Sequence, residues 1–164
     1  MFWKASLMGH SGFMLDTVIF NRIRDGNLAL SGLRGKALFA THVQRDELEA
    51  TRDEARRCLL SETFKAVDPS IVPTTSAIFD ISRFDEACWT SDDTMHNEIF
   101  QRIVELDRLK GKNKPAENQH RDALIAETAI RKDFTLVTDD CALREVAEDK
   151  NGRAISYKEF CQLV

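Results

Sequence analysis

Short apolar runs and longer amphipathic stretches alternate along the chain. Phe13-Met14-Leu15 is an apolar run closed by Asp16, and Val18, Ile19, Phe20 and Ile23 follow it at helical spacing. Ala37-Leu38-Phe39-Ala40 is a second short run. From Val43 to about Phe64 the chain is rich in Glu, Arg, Ala and Leu and contains no Pro or Gly, which predicts one helix. Ser76 to Ile81 reads as a third strand. A helix over 93–110 carries Ile99, Ile103, Leu106 and Leu109 on one face, and Lys110 to Lys114 forms a basic loop ended by Pro115. A further helix spans 116–132. Phe134 to Thr138 (FTLVT) is β-branched and aromatic, as suits a strand buried on both faces. A helix over 141–149 and a strand over 154–157 close the chain. Strand–helix units of this length predict an α/β domain with a central, mainly parallel sheet flanked by helices. Ligands of such sheets sit beyond the carboxyl ends of the strands.

Acidic residues cluster at those predicted ends. Asp16 directly follows the first strand, and Asp139 and Asp140 follow FTLVT. Asp is also a good helix N-cap and a helix follows each time, so capping alone accounts for either site taken singly. Asp122 is different, because Ile125, Ala126 and Ala129 lie three, four and seven residues on and place it at the head of a buried stripe. A carboxylate there must be paired, hydrogen-bonded or bound to a cation. Glu47 stands at the margin of a stripe made by Thr51, Ala55 and Cys58; its plainer role is a surface acid paired with Arg. Should these acids converge, two carboxylates 4–5 Å apart repel by roughly 4 kcal/mol at an effective dielectric near 20. They then share a proton or recruit a cation. An all-oxygen site suits Mg²⁺ or Mn²⁺ better than zinc.

Composition narrows the classes. The 164 residues suit a single domain over 1–164, with 1–12 as an N-terminal extension. The net charge of −4 argues against a protein that coats nucleic acid non-specifically, although a local basic patch is compatible with it. No run reaches the roughly 18 apolar residues of a membrane span, and the start lacks a secretory pattern. Cys58, Cys88, Cys141 and Cys161 form no CxxC pair and read as reduced, mostly packed thiols of a cytoplasmic protein. His42, His96 and His120 share no ligand spacing with them and are not read as metal ligands.

Four segments together carry a family resemblance: FMLDTVIFNRI (Phe13 to Ile23), THVQRDELEAT (Thr41 to Thr51), RDALIAETAI (Arg121 to Ile130) and FTLVTDDCAL (Phe134 to Leu143). In order and separation they resemble the PIN-domain nucleases, in particular the VapC-like toxin ribonucleases of bacterial toxin–antitoxin pairs. The resemblance implies a PIN-like three-layer sandwich and a cleft of acids holding Mg²⁺ or Mn²⁺. It implies hydrolysis of phosphodiester bonds in single-stranded or structured RNA. Carried over by position, the catalytic and metal-binding acids are Asp16, Glu47, Asp122 and Asp140, with Thr138, Asp139 and Asn21 in support. Val18 stands where the family commonly has Asn, which leaves the part played by Asn21 open. Lys112, Lys114, His120 and Arg121 are the candidates for RNA contact, with Arg22 and Arg24 on the first helix beside them. A cognate antitoxin and a second copy of the chain are the implied protein partners. The segment 83–110, with Asp85, Glu86, Asp92 and Asp93 near Trp89, reads as an exposed, variable helical insertion. A PIN scaffold that binds RNA or protein without cutting is the alternative. An aspartyl phosphatase fits less well, because it wants an acid where Val18 stands.

Overall fold

The computed structural model describes residues 12–26, 28–88 and 94–164. The expectations for Met1 to Ser11 and for Trp89, Asp92 and Asp93 fall outside the described residues. Five strands form an all-parallel sheet in the order β3-β2-β1-β4-β5: β1 Phe13–Leu15, β2 Leu38–Ala40, β3 Ser70–Ile71, β4 Thr135–Val137 and β5 Arg153–Ile155. Among the described residues, seven α-helices connect and follow them: α1 Thr17–Asp25, α2 His42–Glu49, α3 Glu54–Val67, α4 Thr94–Leu109, α5 Ala116–Arg131, α6 Cys141–Asp149 and α7 Tyr157–Cys161.

Strand alternation builds the three layers. Met14 and Leu136 point to one face, where they meet Ile99, Ile103 and Leu106 of α4, Leu124 and Ile125 of α5, and Leu143 and Val146 of α6. Leu15 and Val137 point to the other, against Ile19, Phe20 and Ile23 of α1, Leu60 of α3 and Phe160. Leu136 is fully buried between layers, and its truncation to Ala should cost about 2–5 kcal/mol. Gly12 sets the entry to β1. Its φ is 144°, and a Cβ there would lie 2.5 Å from the Ala37 carbonyl oxygen, so only glycine lets β1 approach β2 this closely.

Five sequence expectations need correction. Cys58, Cys88 and Cys141, expected to be packed, are exposed. The single helix over 43–64 is two: Ala50 closes α2, and Asp53 restarts the chain by accepting a hydrogen bond from the Arg56 amide. Ser76 to Ile81 is not a strand. The edge beside β2 is taken by Ser70–Ile71, and the later segment turns over α5, held by Ser76 and the Thr75 amide. The insertion read over 83–110 contains α4, whose His96, Ile99, Ile103 and Leu106 are buried, so this helix covers the sheet rather than decorating it. Leu109 lies off that stripe and is 70% exposed.

Candidate active site

The strand order reverses at β1, whose neighbours β2 and β4 lead to opposite parts of the chain. A crevice forms beyond the carboxyl ends of strands at such a point. There Asp16, Thr17, Val18, Asn21, Glu47, Lys112, Lys114, Asp122, Asp139 and Asp140 line one cleft of about 530 Å³. All four acids singled out from the sequence meet in it, from four different elements or their caps. A hollow of about 600 Å³ along α4 contains none of them.

Asp16 sits between β1 and α1 and is 7% exposed. One carboxylate oxygen caps the helix by accepting from the Thr17 amide at 2.7 Å, and the other accepts from the Thr138 hydroxyl at 2.6 Å. Capping and site membership are thus both true of it. Burial raises its pKa to about 6, and the nearby Glu47 and Asp140 charges push the same way against the Thr138 and Thr17 hydrogen bonds. Glu47, on the last turn of α2, accepts a hydrogen bond from the Thr17 hydroxyl. Burial, with Asp122 adding to it, lifts its pKa above the usual carboxylate range. Asp122 heads the buried face of α5 as its spacing predicts. Burial and then the Asp16 charge push its pKa up to about 7.

Asp140 behaves in the opposite way. Burial alone would raise its pKa, but the Lys114 ammonium, the Ala142 amide and Lys112 outweigh burial and hold it at about 2. Lys114 Nζ lies 2.8 Å from an oxygen of Asp122 and 2.8 Å from an oxygen of Asp140. Lys112 Nζ lies 3.2 Å from the same Asp140 oxygen. Lys114 itself is held well above the ordinary lysine range, because the two carboxylates outweigh its burial. The two lysines assigned to RNA therefore contact the acids directly.

The supporting residues divide. Thr138 bridges the site, donating to Asp16 and accepting from the Asp140 amide at 3.0 Å. Asp139 accepts from Arg22 Nε at 2.9 Å and from the Tyr157 amide at 3.0 Å, which ties β4 to α1 and α7. Asn21 lines the cleft and accepts from Arg56 at 2.9 Å. His120 is not among the cleft residues. It stacks on Phe100 with ring centroids 3.9 Å apart and meets His96 at 3.2 Å. Arg121 pairs with Glu117, one turn back on α5. The sequence reading passed over Thr17, whose hydroxyl fixes Glu47. Its position directly after Asp16, at the first residue of a helix, is the signal that marks it.

Among the described residues no group of three His, Cys, Asp or Glu side chains is arranged to hold a metal ion as it stands. The donor set nevertheless fits a hard divalent cation in kind: every donor is oxygen, Asp16 is buried, and Glu47, Asp122 and Asp140 are half-buried with like charges beside them. A cation already sits among them, in the form of the Lys114 ammonium.

No family model and no curated protein matches the chain. Among solved structures, a chain of VapBC2 from Rickettsia felis, determined bound to a DNA fragment from their promoter, superposes with a TM-score of 0.50. It is 14% identical, and the match covers 88% of this chain and 97% of that one. The chain has a PIN-like fold. FitAcB from Neisseria gonorrhoeae also matches, with a TM-score of 0.43 at 14% identity over 89% of this chain and 98% of its own. The parallel sheet and the three layers expected from the sequence are both present. No helix among the described residues is long and apolar enough to cross a membrane.

Proposed function

We propose that this PIN-like chain is a divalent-metal-dependent endoribonuclease that hydrolyses phosphodiester bonds in single-stranded RNA and acts as the toxin partner of an antitoxin. The observation that carries the reading is the meeting of Asp16, Glu47, Asp122 and Asp140 in one cleft at the strand-order reversal. A bound Mg²⁺ or Mn²⁺ would lower the pKa of a water and neutralise charge on the reacting phosphate. Asp16, Asp122 and Asp140 are the residues to hold it. Thr138 and the Thr17 amide lock the Asp16 carboxylate in one orientation, so little reordering is needed when it takes up its ligand. Glu47, clamped by the Thr17 hydroxyl, completes the oxygen shell or receives a proton from the attacking water. The expected products carry 5′-phosphate and 3′-hydroxyl ends.

The test is an end-labelled single-stranded RNA incubated with the purified protein in Mg²⁺, in Mn²⁺ and in EDTA. Cleavage with either ion, none in chelator and none by Asp16→Asn is the expected result. Cleavage that persists in EDTA, or is unchanged in D16N, refutes the mechanism. The Lys114 ion pairs favour a second reading, in which neutralised acids leave a scaffold that binds RNA or protein without cutting. Under that reading the same assay shows RNA retained and intact in every ion. The antitoxin is tested by co-expression with the product of the adjacent open reading frame, where co-purification is expected.

A further inference from the structure

We propose that Lys114 is an internal cation that a divalent ion must displace, so that the loop 110–114 is a latch released when the ion binds. The proposal rests on the reading of the acids as a divalent-ion site. Its basis is the sharing of oxygens. One oxygen of Asp140 accepts from Lys114 at 2.8 Å and from Lys112 at 3.2 Å, while the other accepts from the Ala142 amide at 2.8 Å. One oxygen of Asp122 accepts from Lys114 at 2.8 Å. Asp140 Oδ2 therefore has both acceptor positions taken by ammoniums, and a metal ion reaches that oxygen only when one of them leaves.

The loop is built to move without disturbing the core. Residues 110–113 lie between the end of α4 and the start of α5, and Lys110, Gly111 and Lys112 are exposed. Gly111 takes a φ of 67° with nothing within 4 Å of where a Cβ would stand. The Gly111 and Lys112 amides bond back to Arg108 and Asp107, so the turn is anchored on α4 while the lysine side chains reach across the cleft. Lys112 Nζ also stands 3.9 Å from the buried Asp107 carboxylate. Released from Asp140, Lys112 keeps this second acid within reach, whereas Lys114 loses its partners in the cleft. The ammonium of Lys114, freed at the mouth of the cleft beside Lys112, is placed to meet the phosphate oxygens of a strand. Ion binding and RNA binding are then coupled through one loop.

The experiment is an amine-acylation footprint of the whole chain at pH 8 without divalent ion and in saturating Mn²⁺, read by mass spectrometry with exposed Lys65 and Lys158 as references. Bound Mn²⁺ is measured in parallel by electron paramagnetic resonance, for the wild type, Lys114→Met and K114Q. The expected result is a Lys114 that is protected without ion and acylated about fivefold faster or more with it. Mn²⁺ should bind K114M or K114Q tighter than wild type by a similar factor. Mn²⁺ bound to the wild type with Lys114 still protected overturns the latch and leaves the ion site standing. Unchanged or weaker Mn²⁺ affinity in both folded variants overturns it as well. No bound Mn²⁺ in any of the three proteins overturns the ion-site reading and the latch with it.

Discussion

Helix α5 turns two carboxylates inward, the half-buried Asp122 and the fully buried Glu127, and they are treated in opposite ways. Glu127 is fully buried, yet its pKa lies below the ordinary value: burial pushes it up, and His96, Ser76 and Arg131 together outweigh burial. One of its oxygens accepts from the Ser76 hydroxyl and the Arg131 guanidinium, each at 2.9 Å, and His96 Nδ1 stands 3.5 Å from the other. Asp122 has one lysine, shared with Asp140, and the Asp16 charge beside it, so its pKa rises to about 7. A buried carboxylate with two donors on one oxygen and an imidazole beside the other is a structural pin. A half-buried carboxylate set among other carboxylates is held at a cost that a cation would relieve.

The largest effects that test this contrast are on activity. Asp16→Asn and Asp122→Asn should each lower RNA cleavage by about a hundredfold or more, since each removes a charged oxygen from the proposed ion shell. At pH 8 without metal, D122N should melt no lower than wild type, because the amide removes a charge that burial and the neighbouring Asp16 carboxylate disfavour. A D122N protein that melts much lower would make Asp122 a second Glu127 and erase the contrast. Glu127→Ala should do the reverse. It leaves Arg131 and Ser76 without their shared acceptor, costing about 3 kcal/mol and lowering Tm by roughly 10 °C. Below its melting range, its Mn²⁺ affinity should match that of wild type.

The same difference sets a pH dependence. Asp16 and Asp122 have pKa values of about 6 and about 7 against an ordinary 3.8, so between pH 4 and 7 the native state holds more protons than the unfolded chain. Their contribution therefore falls as pH rises through that window. Asp140, held at about 2, acts in the other direction, but its window lies below the ordinary value. The Tm of the chelated protein should drop by about 5 °C between pH 5.5 and 8. Saturating Mg²⁺, which prefers the ionised acids, should flatten or reverse the slope. A chelated Tm that rises over this range would mean that Lys114 fully compensates the cluster.

Asp16, Asp122 and Asp140 were legible in the sequence because each follows a strand or heads an apolar stripe, and those patterns are local; the stripe read for Glu47 is cut by the end of α2, and its Ala55 and Cys58 are exposed. Glu127 carried a signal that the reading did not use. It interrupts the run Leu124-Ile125-Ala126 and precedes Thr128-Ala129, all buried, so a charged residue there demands fixed partners. Its partners could not be read, since Ser76 lies 51 residues away in a segment whose β-like composition suggested a strand. β3 was missed because its two residues, both exposed, show no alternation. The break between α2 and α3 was missed because its cause is the Asp53 cap, with no Pro or Gly to mark it. The Lys114 placement depends on where a five-residue loop lands, which neither propensity nor periodicity sets.

The smallest expected effect concerns Lys112, the partner with one foot in the cleft and one on Asp107. In the D16N background, where cleavage is suppressed, Lys112→Ala should weaken single-stranded RNA binding in Mg²⁺ severalfold. The slope of log affinity against log salt should shrink by about one, as expected for a lost phosphate contact. The weakening should be smaller in EDTA, because Lys112 is then engaged by Asp140 and contributes little to RNA. Equal weakening in both conditions would show that Lys112 meets phosphate without leaving the acid. No change in slope in either condition would place the RNA-binding cations elsewhere, with Arg22 and Arg24 of α1 next in line, since both lie in the last turn of the helix that Asp16 caps.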